Sequence, residues 1–427
     1  MVCAGLLWGA ECARADYDPP LIPEPVAAGP LTGTPVAGSS NSGALFPLVV
    51  PNYHSDAGAP ASLYMDFVGD YTTNNWGGYN PGHTPAYDAD GDPTTFSATE
   101  LSNISEIFQR VAEKYSPFNI DVTTQPPADM SHGKMAEVVI GGVGSWYQLA
   151  GGVSFLGAFQ VGAGNPNVSF AFSQNLSISH PGTPKYVAEA ISHEAGHQFG
   201  LYHQSDFVGG GLLNEYSFGT YQFRQDLADQ KLPQLEEPGT KSPVMGNSYY
   251  ADRGLWWSGT SDTNGSNVQQ DDMSIIASAT NGFGYRAEPN NTSFATAAAL
   301  TIDGTGFFNA QGIIIHSTDR DYFSFQSPGG LVSFLVNVAP FGAMLDATAQ
   351  IYTANGQLVA QSATSSLSEL VAGNLPAGNY DLVVSSAGNY GDVGQYFVTG
   401  SLGTLVPEPG MVGVMVGCAI FLRRRRG

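Results

Sequence analysis

From Leu63 to Asp70 (LYMDFVGD) apolar positions alternate with others, which predicts a strand. After Ser97 the period lengthens: Ile104, Ile107, Phe108 and Val111 fall on one helical face, and Ser97-Ala98-Thr99-Glu100 forms a capping box at its start. Short β-like runs follow at Phe118–Thr123, Glu137–Gly141, Gly152–Phe159 and Val168–Phe172. A second helix is predicted over about 185–199, where Val187, Ile191, Ala195 and Phe199 make an apolar stripe. From Glu288 to about Leu402 the pattern becomes short strands parted by Gly, Asn and Pro turns, such as Gly304–Phe308, Asp321–Phe325, Ala349–Tyr352 and Asn379–Val384. That is the pattern of a small β-sandwich. No repeat of fixed period is evident, which disfavours solenoids and propellers. The expectation is two unlike domains with a boundary near 285: an α+β unit over 61–284 and an all-β sandwich over 285–403.

Both ends read as addresses. Residues 2–10 (VCAGLLWGA) are apolar and Ala13-Arg14-Ala15 is a small-x-small cleavage pattern, so residues 1–15 are expected to be a signal peptide. Residues 16–60, rich in Pro, Gly and Ala, read as a linker or propeptide. In the 404–427 segment, Val406-Pro407-Glu408-Pro409 precedes an apolar stretch from Met411 to Leu422 and four arginines, Arg423 to Arg426, the order of a membrane stop with its cations on the cytoplasmic side. The stretch is shorter than the roughly 20 residues a comfortable span needs. It resembles the PEP-CTERM sorting tail of Gram-negative bacteria. That resemblance implies an exosortase-type processing enzyme as partner, membrane association through the tail before processing, and export to the cell envelope or beyond.

Charge narrows the classes. The chain carries 15 Lys+Arg against 37 Asp+Glu, a formal net charge of −22, which excludes sustained binding to nucleic acid. Only 12% of residues are charged and 53 are Gly, a balance that suits a β-rich extracellular protein. The three cysteines, Cys3, Cys12 and Cys418, lie in the two end segments, so the body between them has neither disulfides nor thiol chemistry.

The chemistry concentrates in His193-Glu194-Ala195-Gly196-His197-Gln198-Phe199-Gly200-Leu201-Tyr202-His203, an H-E-x-x-H-x-x-G-x-x-H arrangement. Imidazoles four residues apart on a helix lie one turn above each other and can share one Zn²⁺. Glu194 projects about 100° away, beside the metal, where a carboxylate can act as general base toward water. Gly200 can adopt the left-handed conformation that ends a helix, which lets His203 return to the metal as third ligand. Three histidine ligands leave a fourth position open for water and substrate.

The motif resembles the metzincin clan of zinc endopeptidases, and Ser242-Pro243-Val244-Met245-Gly246 resembles that clan's Met-turn. The resemblance covers roughly 61–284 and implies a metzincin-like fold, Zn²⁺ as cofactor, protein or peptide substrates and Met245 packed beneath the imidazoles. It also implies that an extended substrate adds to the sheet edge near Gly151–Phe159. Gln204 after the third histidine matches none of the adamalysin, astacin, serralysin or matrixin patterns. Asn247 stands where astacins and serralysins carry a tyrosine; Tyr249 and Tyr250 follow, as oxyanion stabilisers or as packing.

Asp88, Asp90 and Asp92 alternate around Gly91, a spacing that suits Ca²⁺ and equally an acidic turn before a helix. The sandwich resembles the bacterial pre-peptidase C-terminal family through Glu288-Pro289-Asn290-Asn291-Thr292, Asp319-Arg320-Asp321-Tyr322-Phe323, Leu345-Asp346 and Leu375-Pro376-Ala377-Gly378-Asn379-Tyr380. That resemblance makes Glu288, Asn290, Asp319 and Asp321 calcium ligands or, in the other reading, ordinary turn carboxylates. The expected activity is a secreted or surface-anchored zinc metalloendopeptidase. The alternatives are an adhesin or matrix-binding protein that works through its sandwich, and a zinc hydrolase acting on another substrate.

Overall fold

The computed structural model describes residues 48–72, 76–176, 183–220, 237–301 and 307–402, together with the backbone of Ala15–Tyr17. The 404–427 segment expected to be a sorting tail, the three cysteines, the expected signal segment before Ala15 and most of 16–60 lie outside the described residues. The protein is mostly β, with few helices and several sheets. Among the described residues no helix is long and apolar enough to cross a membrane.

A six-stranded mixed sheet orders as Ala15–Tyr17, Gly152–Phe155, Val168–Ala171, Met135–Ile140, Ser62–Asp66 and Asp121–Thr123. The last four run parallel; Gly152–Phe155 is antiparallel to its neighbour Val168–Ala171, and Ala15–Tyr17 pairs antiparallel with Gly152–Phe155. Every residue of Met135–Ile140 is buried, because both faces of the sheet are covered. Val138 and Ile140 join the core beneath the helices, while Val139 faces a second, aromatic cluster of Trp76, Phe155, Phe170 and Phe172. That split follows from the two-residue period of a strand.

Helix α1 spans Ala98–Tyr115 and buries Ile104, Ile107 and Val111. Its capping box is formed: Ser97 Oγ accepts from Glu100 N at 3.3 Å and Ser97 N donates to Glu100 Oε2 at 2.8 Å. Helix α2 spans Pro184–Gln198, with proline in its first turn where no N–H is needed, and it is buried almost throughout. The chain leaves it through Gly200 at φ 99°, a conformation that glycine adopts at little steric cost.

The strand anticipated to run from Gly152 to Phe159 stops at Phe155. Gly157, at φ 67°, turns the chain, and Gly157 N and Phe159 N then donate to the carbonyls of His197 and Gln198 at the end of α2. The end of the 16–60 segment is packed along the sheet: Tyr53, Ser55 and Asp56 bond to the Asp121–Thr124 stretch, and His54 Nδ1 lies 2.6 Å from Asp121 Oδ2.

The C-terminal region holds two sheets. One orders as Ala298–Ala299, Arg320–Ser327, Gly378–Ser386, Ala347–Thr353 and Leu358–Ser362, the other as Phe307–Ile314, Gly394–Leu402, Gly330–Val338 and Glu369–Leu375. Phe323, Phe325, Ile351, Leu382 and Val384 of the first meet Phe308, Val332, Phe334, Val336 and Val398 of the second in one core. Met344 and Val393, carried on loops of this region, belong instead to the core around α1 and α2.

Candidate metal centre

The geometry begins with α2. His193 and His197 project from one helical face into a buried space, their rings 4.7 Å apart and nearly perpendicular. His193 Nδ1 lies 2.8 Å from the carbonyl of Val244, and His197 Nδ1 lies 2.7 Å from the carbonyl of Leu201. A carbonyl only accepts, so both Nδ1 atoms donate and both Nε2 atoms face the enclosed space. Those two Nε2 atoms stand 3.1 Å apart.

His203, beyond the Gly200 turn, completes the set: one ring nitrogen from each of the three histidines lies within 4.8 Å of the others. Its Nδ1 is 3.2 Å from Glu215 Oε1. Burial first, and then the neighbouring His193 and His203, push the His197 imidazole well below its ordinary range, so it is neutral. Buried imidazoles whose ring nitrogens converge on one point fit a transition-metal cation, and three such nitrogens fit zinc with one position left open. Carbonyls on two of the Nδ1 atoms and a carboxylate on the third are the outer contacts that set tautomer and ring orientation at such sites.

Two carbonyls of one turn organise the cluster. Val244 O holds His193, and Met245 O accepts from the N–H of Gln204, the residue after His203, at 2.8 Å. Met245 is fully buried, and its Sδ would stand 2.5 Å from a Cβ built on Gly196, so the turn packs directly against α2 between the two helical histidines. Gln204 reaches back through Nε2 to Asp272 Oδ1 at 2.7 Å.

Glu194 is fully buried and lies against the Gly152–Phe155 strand: a Cβ on Gly152 would be 2.4 Å from Glu194 Oε1. The tyrosine beside the histidines is Tyr216, whose ring centre is 4.3 Å from that of His203 and 6.1 Å from that of His193. Tyr249 and Tyr250 both lie against Tyr186, at 5.9 Å. Tyr216 could not be found from the sequence, since no spacing ties it to the histidine motif.

Of the acidic triplet, Asp88 and Asp90 come together with Glu100 within 4.8 Å, whereas Asp92 bonds Thr94 and Thr95. Asp88 Oδ1 accepts from the N–H groups of Asp90 and Gly91, and Glu100 Oε1 accepts from Ala89 N, which is the chemistry of an acidic turn locked onto the start of α1. Glu288, Asp319 and Asp321 neighbour one another. Burial, then a hydrogen bond with Asp319 and the charges of Asp319 and Asp321, raise the Glu288 carboxyl to about 7. Asp321 accepts from Tyr396 Oη at 2.5 Å, and Asp319 from His316 N. Asn290 and Asp321 line a cavity of about 630 Å³. Among the described residues these three carboxylates do not close to the spacing that the histidine cluster reaches.

No protein-family model and no curated protein matches the chain. Solved structures resemble about a quarter of it. The g-type lysozyme inhibitor PliG of Aeromonas hydrophila is 11% identical over 25% of this chain and 94% of its own, with a TM-score of 0.21. The pre-peptidase C-terminal domain of the Bacillus anthracis collagenase is 15% identical over 27% and 98%, with a TM-score of 0.20. PliG of Salmonella Typhimurium is 15% identical over 25% and 98%, with a TM-score of 0.18.

Proposed function

We propose that this chain is an exported zinc endopeptidase of metzincin type, carrying a pre-peptidase-C-terminal-like β-sandwich. The observation that carries the reading is the convergence of three buried histidine nitrogens, with Nε2 of His193 and of His197 3.1 Å apart and His203 completing the set. With both Nδ1 atoms turned to carbonyls, these two Nε2 atoms are the ones left to share a cation. His193, His197 and His203 would hold the metal, which when bound would polarise the scissile carbonyl and stabilise the negative charge developing on it.

Glu194 is the general base: its carboxylate takes a proton from the attacking water and delivers it to the departing amine. Burial keeps competing water from that carboxylate, and Gly152 leaves it room beside the sheet edge. The backbone of Gly152–Phe155 aligns an extended peptide as an added strand. This edge already accepts a strand in the structure, since Ala15, Asp16 and Tyr17 pair antiparallel with Phe155, Ser154 and Val153.

The test is metal analysis of the purified chain with a peptide-library digest by wild type and Glu194→Ala. The expected result is one zinc per chain in both and cleavage by the wild type alone. Absence of bound zinc together with identical digests would remove the enzyme reading and leave the sandwich as a binding module.

A further inference from the structure

The Asn389–Gln395 loop of the sandwich is built into the neighbouring unit. Tyr390 Oη donates to Asp271 Oδ1 and accepts from Met273 N. Gly391 sits on Trp256, where a Cβ would be 2.4 Å from the carbonyl oxygen. Val393 enters the core of α1 and α2, and Gln395 donates to Glu113 through both N and Nε2.

At the centre of this loop Asp392 is fully buried. Its Oδ1 accepts from Arg253 Nη2 at 2.7 Å and from Lys241 Nζ at 3.3 Å, while Asn389 Nδ2 donates to Oδ2 at 2.7 Å. Lys241 and Arg253 are direct partners in a parallel ribbon of two strands, Glu237–Pro243 and Ala251–Leu255. A two-stranded ribbon is marginal by itself, and like charges opposite one another drive its strands apart. The Asp392 carboxylate bonds both cations, with Asp346 a further 3.9 Å neighbour of Arg253, and offsets that repulsion.

This ribbon carries the turn that holds the histidines. Val244 follows directly on Pro243 and donates its N–H to Leu255 O at 2.9 Å, and the carbonyls of Val244 and Met245 then fix His193 and Gln204. We infer that Asp392 is a positioning residue for the three-histidine site, acting from the sandwich through the Lys241–Arg253 ribbon and the Val244–Gly246 turn. The inference rests on the metal reading above. It makes the sandwich a working part of the metal centre, where an appended binding module would leave that centre untouched.

The experiment uses the full chain with zinc alone, measuring the zinc dissociation constant by chelator competition, the absorption spectrum of the Co²⁺-loaded protein, and thermal melting. Asp392→Asn is expected to weaken zinc binding about tenfold or more and to alter the cobalt spectrum, as loss of an outer support does. Asp392→Glu restores part of the affinity. Tyr390→Phe, in the same loop but away from the ribbon, lowers melting temperature and leaves both metal readouts at wild-type values. Should Asp392→Asn not fold, Lys241→Met added to it removes one of the two opposed cations and recovers folding and zinc affinity together. The proposal is overturned if wild type binds zinc and Asp392→Asn binds it equally well with the same cobalt spectrum, or if the Lys241→Met addition recovers folding without affinity. A wild-type chain without zinc affinity overturns the functional reading instead.

Discussion

Gly152 and Glu194 touch: a single carbon added to Gly152 would stand 2.4 Å from Oε1 of the glutamate. The contact joins the sheet edge to the helix that carries the histidines, and it sets where the carboxylate can lie. Gly152→Ala must therefore displace Glu194 or the strand. The expected outcome is a fall in kcat of about 100-fold, since a shift near 1 Å is enough for that. Zinc stoichiometry should be unchanged, because the atoms nearest the added carbon all belong to Glu194. Steady-state kinetics beside metal analysis checks it, and loss of metal together with activity would assign Gly152 a different role.

The antiparallel pairing of Ala15–Tyr17 with Gly152–Phe155 covers the edge that a peptide would need. Compared with the uncleaved chain, one lacking residues 1–17 should show a lower KM for peptides with kcat little changed, because substrate no longer competes with a tethered strand. Equal KM values for the two chains would count against that edge as the peptide site.

Glu137 supplies a pH signature of folding. Burial first, and then the charges of Asp66 and Asp70, raise its carboxyl from 4.5 to about 8. The folded protein thus keeps a proton that the unfolded chain has released. The stability linked to it is complete below pH 4.5 and is lost as pH rises through about 8. Glu137→Gln, which cannot ionise, should flatten the decline of stability across that window and raise the denaturation midpoint at its alkaline end. Urea unfolding of both proteins between pH 5 and pH 8 gives the comparison, with parallel curves as the refuting result.

Ser97→Ala removes the acceptor of the capping box while Glu100 still bonds to the Asp88–Gly91 turn through Ala89. It should cost about 1 kcal/mol of stability, the usual loss for such a cap. Chemical denaturation measures it, and peptide hydrolysis should be unaffected because α1 contributes no group to the histidine cluster.

Local patterns made much of this protein legible. The 3.6-residue period and the Ser97–Glu100 spacing mark α1, and the four-residue separation of His193 and His197 places both imidazoles on one helical face whatever surrounds them. The short β-like run at Glu137–Gly141 marks the strand Met135–Ile140 to within two residues, but its burial on both faces depends on the aromatic layer around Trp76, which no period of the chain reveals.

What the chain determines by itself is thus short in range: helix, cap, glycine exit and the pair of histidines. Tertiary structure alone decided that Val244 and Met245 orient the site, that Tyr216 lies against His203 while Tyr249 and Tyr250 pack on Tyr186, and that Glu100 joins Asp88 and Asp90. It also decided that Asp392 reaches Arg253 across 139 residues. The reason is physical: helix and strand periods act over a few residues through backbone geometry, whereas these contacts form only when the two cores bury their apolar faces and bring distant polar groups within reach.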